Sequence, residues 1–344
     1  MCSRFIHMKY VNLGESGVKV SQVAIGTWFL PRLQEKDELG IYKVDKETTL
    51  KILKRAYDEG VNFIDTANRY HGAMAPVDLP HVGNAERIVG EFLKTVDRES
   101  VVISTKVRGK MGDFVNGEGL SRKHILWQIK ESLKRLGTSY IDVYFIHWPD
   151  PDTPKLETLR TLNSLVNNGL VYYLGVSNHS AVDVMEFLQL SERHNLEKFI
   201  VMQEKYNMLE RDIEKDKAII AKRFGLAIMA YSPLAQGFLT GKYVDKNGWK
   251  IEELSRASIT EDLKKRYFTE ANLRILLGLK DVASELGITL SQLAISWLLK
   301  RGEQLGITVI PLIGASKIEH LEDNLSALNI NLRDDYMKRI EQIF

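Results

Sequence analysis

The 344-residue chain contains a single cysteine, Cys2. That excludes an internal disulfide and a thiolate metal site. It agrees with a reducing compartment, so the cytoplasm is the expected location. Charge of one sign is also lacking: 47 basic and 45 acidic residues leave a net +2, without bulk attraction to nucleic acid or to an anionic membrane. No apolar run approaches the ~18 residues needed to span a bilayer. The N-terminus MCSRFIHMKY has no apolar core of a secretory signal, and residues 1–7 read as a tag or extension ahead of Met8. The eight histidines form no HxH or HExxH pair, so no metal is expected. No GxGxxG follows the first strand pattern, where the stretch reads AIGTWFLP.

What is present is an alternation. YVNL (10–13) and VKVSQVAIGT (18–27) flank the turn signal GESG and read as a hairpin running into a first strand. TTLKILKRAYDEG (48–60) has apolar residues at helical spacing and a terminal glycine. VNFID, VVISTKV, YIDVYFIHW, VYYLGVSN, FIVMQEKYN, LAIMAYSPL and ITVIPLIGAS read as further strands, with amphipathic helical stretches between them. Their near-continuous apolar runs suit parallel strands buried on both faces. Eight βα units argue for a closed α/β (β/α)8 TIM barrel with an N-terminal hairpin and extra C-terminal helices. A doubly wound sheet is the alternative that the missing glycine fingerprint disfavours. No linker or composition break divides the chain, so residues 1–344 read as one domain.

Barrel chemistry sits at the C-terminal ends of the strands. Those ends carry Thr27 and Trp28, Asp65, Lys106, His147, Ser177 and Asn178, Gln203, Tyr231 and Ser232, and Gly314 to Ser316. Taken singly, Asp65 is a strand-end cap, Lys106 a solvated lysine and His147 a core histidine. Three successive strands ending in Asp, Lys and His are not what core packing produces. Asp65 and Lys106 on adjacent strands are expected to form a buried ion pair. An ammonium beside the Tyr70 hydroxyl is expected to lower the tyrosine pKa and make it a better acid. His147 can donate a hydrogen bond to a substrate oxygen. The set suits protonation of an oxygen that becomes an alkoxide as hydride arrives. A retaining glycosidase would need a second strand-end carboxylate near Asp65, and none is apparent.

At this point the motifs resemble the aldo-keto reductase superfamily. FIDTANRYHG is similar to its aspartate–tyrosine motif, and ISTKV, YFIHWPD, YLGVSN, MQEKYN, AYSPLAQGFLTGKY and IGASKIEHLEDN to its other strand-end motifs. GLSRKHI and LSRAS resemble the branch that includes bacterial and archaeal oxidoreductases and potassium-channel beta subunits. The resemblance implies NADPH/NADP+ as cofactor, with NADH as the alternative, and an aldehyde or ketone as substrate. Tyr70 would be the proton donor, tuned by Asp65 and Lys106, with His147 orienting the carbonyl. Thr27, Trp28 and Asp65 would lie along the cofactor. Ser177, Asn178 and Gln203 would hold the nicotinamide carboxamide, and Tyr231 would stack on the ring. Ser232, Pro233, Leu234, Gln236 and Lys242 would follow the pyrophosphate, covered by a loop carrying Arg256. Gly314, Ser316, Lys317, His320, Asp323 and Asn324 would take the adenosine 2′-phosphate end. Trp28, Tyr70, His71 and Trp148 would line the substrate pocket, together with loops 72–84, 108–119 and 242–270.

Three departures from the family pattern stand out. His320 replaces a common Arg or Gln, Asp323 a common Glu, and His71 follows Tyr70 where glycine is usual. The stretch AMAPVDLPHVG (73–83) reads either as a substrate-pocket loop or as a surface insertion. The expected partner is a small carbonyl compound, with neither nucleic acid nor membrane; a homo-oligomer is compatible with the sequence. The competing function is that of an NADPH-binding regulatory subunit of the channel-beta type. The histidine at 147, which such subunits commonly lack, favours an enzyme.

Overall fold

A computed structural model describes residues 6–73, 77–245, 248–251 and 261–344. A short antiparallel hairpin, β1 (Tyr10–Asn12) and β2 (Lys19–Ser21), precedes the first barrel strand, β3 (Ala24–Gly26). A second hairpin follows, β4 (Arg32–Lys36) and β5 (Tyr42–Val44), which the sequence reading did not anticipate. Its turn is built on Asp37, which accepts from the N–H groups of Leu39 and Ile41, with Gly40 at φ +77° between them.

The alternation then runs as expected. Helix α1 (Lys46–Asp58) is capped by the Asp45 side chain, which accepts from the Thr48 N–H. Strand β6 (Phe63–Asp65), α2 (Asn84–Leu93), β7 (Val102–Val107), α3 (Arg122–Leu136), β8 (Ile141–Ile146) and α4 (Lys155–Asn167) follow. Next come β9 (Val171–Ser177), α5 (Ala181–His194), β10 (Phe199–Lys205), α6 (Lys217–Phe224) and β11 (Ala227–Tyr231). A two-residue pair, β12 (Val244–Asp245) and β13 (Gly248–Trp249), and helices Glu261–Tyr267, Glu270–Leu286 and Leu290–Leu305 lead to β14 (Val309–Ile313). The last helices are Ile318–Ser326 and Asp334–Glu341, so the polar C-terminal stretch is helical rather than a loose tail.

The eight parallel strands close in the order β3-β6-β7-β8-β9-β10-β11-β14. This is the expected (β/α)8 barrel. Two apolar layers hold it. One lies between strands and helices and includes Ile64, Ile103, Tyr144 and Trp297. The other fills the barrel interior with Ala24, Phe63, Val102, Val143, Phe145, Val201, Ala227, Met229 and Ile310, and the β1–β2 hairpin adds Leu13 and Val20 to it. Gly175 makes room for this layer, because a Cβ there would sit 2.3 Å from the Phe145 ring. No single helix among the described residues is long and apolar enough to cross a membrane.

Candidate active site at the barrel mouth

Side chains alternate along a strand with period two. The inward series that begins with the interior apolar layer therefore continues upward into polar residues. Phe63 leads to Asp65, Val102 to Ser104 and Lys106, Phe145 to His147, Val201 to Gln203, and Met229 to Tyr231. The registers Asp65↔Ser104 and Gln203↔Ser177 bring these groups to one level.

Asp65 and Lys106 form the expected ion pair, Nζ to Oδ2 at 2.5 Å, with side chains 1% and 0% exposed. Asp65 Oδ1 also accepts from Ser104 Oγ (2.6 Å) and Gln203 Nε2 (3.0 Å). Burying a carboxylate is tolerated when a cation and full hydrogen bonding compensate, and here both do. Lys106 Nζ gives a second hydrogen to Thr66 O (2.8 Å). An ammonium has three donors, and the third has no acceptor among the described residues. The same Nζ lies 4.8 Å from the centre of the Tyr70 ring.

Tyr70 is 7% exposed, packed edge-on between Trp28 (4.9 Å) and His147 (5.7 Å). Burial, followed by the charge of Asp65, pushes its pKa well above the ordinary phenol value. This corrects the expectation that Lys106 lowers it at rest. The phenol has lost more by desolvation than it gains from an ammonium already paired with Asp65. Lys106 is itself lowered by burial, against which Asp65 acts. His147 is pushed well below the ordinary histidine value by burial and then by Lys106, so the imidazole is neutral. Its Nδ1 is buried without a partner. An orphan acceptor costs less than an orphan donor, which assigns the proton to Nε2, the nitrogen left to face the cavity.

A cavity of about 1160 Å³ opens over this cluster. Trp28, Asp65, Tyr70, His147, Trp148, Ser177, Asn178, Gln203 and Tyr231 line one end of it. Tyr231 donates its hydroxyl to Asn178 Oδ1 (2.7 Å), and Asn178 Nδ2 donates to His147 O (3.0 Å). Ser232, Pro233, Leu234, Gln236 and Lys242 line the middle. Asn178, Ser232, Ala235 and Gln236 all take positive φ without being glycine. Such strain concentrates where backbone is shaped around a ligand. The far end is lined by Gly314, Ser316, Lys317, His320, Asp323 and Asn324. Here Ser316 Oγ lies 3.2 Å from His320 Nδ1, and Asn324 Nδ2 donates to Gly314 O (3.2 Å). Asp323 accepts from Thr289 and from Gln292 (2.8 Å), so its carboxylate is held in the cap of the neighbouring helix. His320 is lowered by burial and then by Lys242 and Lys317. Lys317, with Lys242 from the middle of the cavity, thus supplies the positive charge that His320 feels.

Three assignments change. Thr27 is fully buried and lies outside the cavity lining; its hydroxyl donates to the Asp65 carbonyl (3.0 Å). His71 also lies outside the lining, packed against His81 at 5.1 Å. Loop 108–119 contributes nothing to the lining: Arg108 donates to Pro149 O and pairs with Glu118 (2.8 Å). Arg256 lies outside the described residues. In place of that wall stand Arg32, Leu33, Gln34 and Tyr42 from the β4–β5 hairpin and Arg69, while the expected loop 72–84 contributes Val77. Among the described residues no cluster of three or more His, Cys, Asp or Glu could hold a metal.

The lining fits an extended dinucleotide. One end offers amide and aromatic groups beside the Tyr70–His147 pair, and the other offers lysines and hydroxyls for phosphate. Comparison with known proteins agrees. The profile of the aldo/keto reductase family matches residues 22–344. A probable voltage-gated potassium channel subunit beta of Oryza sativa subsp. japonica is 35% identical over 328 residues, covering 94% of this chain and 92% of that protein. One from Arabidopsis thaliana is 35% identical over 343 residues, covering 98% and 96%. With the barrel, the tetrad of Asp65, Tyr70, Lys106 and His147 at its mouth and the match over nearly its whole length, the chain belongs to the aldo/keto reductase family, whose members are in general NADP(H)-binding oxidoreductases.

Proposed function

We propose that this protein reduces the carbonyl of an aldehyde or ketone with NADPH, and runs the reverse alcohol oxidation, with Tyr70 as the proton donor. The observation that carries the reading is the buried Asp65–Lys106 pair beneath Tyr70, with one lysine hydrogen unused. Bound NADPH supplies hydride to the carbonyl carbon. The residues around it handle the oxygen. His147 Nε2–H orients the carbonyl by a hydrogen bond. The raised pKa keeps the Tyr70 phenol protonated at neutral pH, ready to give its proton as the oxygen gains charge. The phenolate that remains is the natural acceptor for the unused Lys106 hydrogen, and Asp65 holds that ammonium in place. Lys106 therefore stabilises the charge that develops during the reaction rather than the resting state.

Ser177, Asn178, Gln203 and Tyr231 would hold the nicotinamide end, and Lys242, Ser316 and Lys317 the phosphates. The two lysines favour NADPH over NADH although His320 is neutral. The lone Cys2 fits a cytoplasmic location. Stopped-flow oxidation of NADPH across an aldehyde panel tests the reading. Tyr70→Phe is expected to lower kcat by ~100-fold or more while cofactor affinity is kept; an unchanged kcat would overturn the assignment.

The names of the relatives favour a second reading, a cofactor-holding channel subunit with little turnover. His147 speaks for turnover. Wild-type protein that binds NADPH yet oxidises it with no member of the panel would decide for the second reading.

A further inference from the structure

Two segments outside the tetrad meet over the substrate end of the cavity. The first is the β4–β5 hairpin, which supplies Arg32, Leu33, Gln34 and Tyr42 to the lining. The second is the segment 77–83, which supplies Val77. His81 stands between them, with its side chain 10% exposed. One ring nitrogen, Nε2, lies 2.5 Å from Asp37 Oδ2 at the hairpin turn. The other, Nδ1, is bonded to Asp78. Ionised carboxylates only accept, so both ring nitrogens must donate and the bridge requires the imidazolium.

We propose that His81 is a positioning residue for the carbonyl pocket, pinning the β4–β5 hairpin to the 77–83 segment through Asp37 and Asp78 and so fixing the outer wall against which the substrate rests. The proposal builds on the reductase reading for its substrate. The surroundings show the same stitching. Leu30 N–H donates to Gly72 O (2.6 Å), and Asn84 Nδ2 to His71 O (2.8 Å). Arg69 donates to the Val77 and Lys110 carbonyls. Gly72 has φ +107°, and a Cβ on it would meet Leu30 Cδ1 at 2.8 Å. Glycine is thus required where the chain after Tyr70 passes the residues that lead into the hairpin. Within the hairpin, Arg32 lies over the Tyr42 ring at 4.8 Å, so moving the hairpin moves both side chains in the wall. His71 backs His81 edge-on at 5.1 Å and bonds the Ala73 N–H.

The charged and titratable groups facing His81 are Asp37 from the hairpin, Asp78 from its own turn and His71 from the segment after β6. Arg69 also acts on Asp78's surroundings. Burial lowers His81, but the bonds to Asp37 and Asp78 outweigh it and the net shift is upward. His71 is lowered by burial and then by His81, so His81 carries the proton of the pair. Asp37 is lowered, chiefly by its bond to His81. A raised histidine contributes its bridge in full below the ordinary value of about 6.5 and loses it as pH rises through the raised value. On the acid side the bridge is lost as pH falls through the lowered Asp37 value.

The test compares holoenzyme of the wild type with His81→Gln, Asp37→Asn and His81→Lys. Hydrogen exchange of residues 32–44 and the KM–kcat split between pH 5.5 and 9 are the readouts. His81→Gln and Asp37→Asn are each expected to speed hairpin exchange and raise the KM for the carbonyl substrate, by ~5–10-fold, with kcat within about twofold and NADPH affinity unchanged. Wild-type KM should climb above neutral pH. His81→Lys, which keeps the charge, should restore the hairpin's protection and flatten the climb. Unchanged exchange and unchanged KM in His81→Gln would overturn the proposal. A protein that turns over no carbonyl compound defeats the reductase reading alone, and hairpin exchange in the four proteins still decides the bridge.

Discussion

Thr105 and Lys106 are neighbours on β7, yet their charged partners lie on opposite faces of the strand. Lys106 points into the barrel and pairs with Asp65. Thr105 points outward and donates to Glu86 Oε1 of α2 (2.6 Å), while Arg135 of α3 donates to Glu86 Oε2 (2.5 Å). Both pairs are buried. The outer one has both carboxylate oxygens satisfied by groups that join two helices to a strand. The inner one leaves a lysine hydrogen unspent beside Tyr70 and the cavity. On the proposed reading, a buried ion pair gains a chemical role from what it leaves unsatisfied and from the space it faces, not from burial itself.

The comparison can be broken most sharply at the inner pair. Lys106→Met leaves a buried carboxylate unpaired and is expected to cost ~3–5 kcal/mol in urea unfolding. It should also remove nearly all turnover of the folded protein in single-turnover assays. Adding Asp65→Asn should restore much of the stability and none of the turnover. A double variant that recovers kcat would show that the inner pair is only structural. At the outer pair, Glu86→Gln keeps the shape and removes the charge. It should lower stability by ~3 kcal/mol, with kcat and KM of the folded fraction within about twofold; a large fall in kcat would erase the distinction.

The smallest effect is expected at Glu214, which does not line the cavity. Glu214 is held at a pKa of about 2: burial acts to raise it, but bonds from Arg301, Arg211 and Tyr206 prevail. A depressed carboxylate contributes stability above its ordinary value near 4.5, lost as pH falls toward 2. Urea midpoints followed downward from pH 6 should therefore fall less steeply in Glu214→Gln than in the wild type. Equal slopes would remove Glu214 from the acid sensitivity.

Much of the inner cluster was legible because each near-continuous apolar run ends on a polar residue, and barrel chemistry sits at those strand ends. Three successive strands thereby pointed to Asp65, Lys106 and His147. Glu86 and Arg135 were not legible. In AERIVGEFL and ESLKRLG they look like ordinary helix charges, and only the packing of α2 and α3 on β7 buries them. The resting state of Tyr70 is not legible for a related reason. A nearby lysine can be read from motifs, but desolvation depends on everything packed around the ring, including Trp28 and His147. The β4–β5 hairpin escaped notice because its strand RLQEK is mostly exposed and polar, so it lacks the apolar alternation that marks the barrel strands. His71 was placed in the pocket by its closeness to Tyr70 in sequence, whereas the chain turns at Gly72 and packs it against His81.

The eight βα units, the polar residues at the strand ends and the family could be read from the chain alone, because each rests on local patterns and on short ordered motifs. Tertiary structure decided which charges are desolvated, which nitrogen of His147 faces the cavity, and that a hairpin and a distant loop share one histidine as their bridge. Those depend on solvent exclusion and on contacts between segments tens of residues apart, which no local pattern encodes.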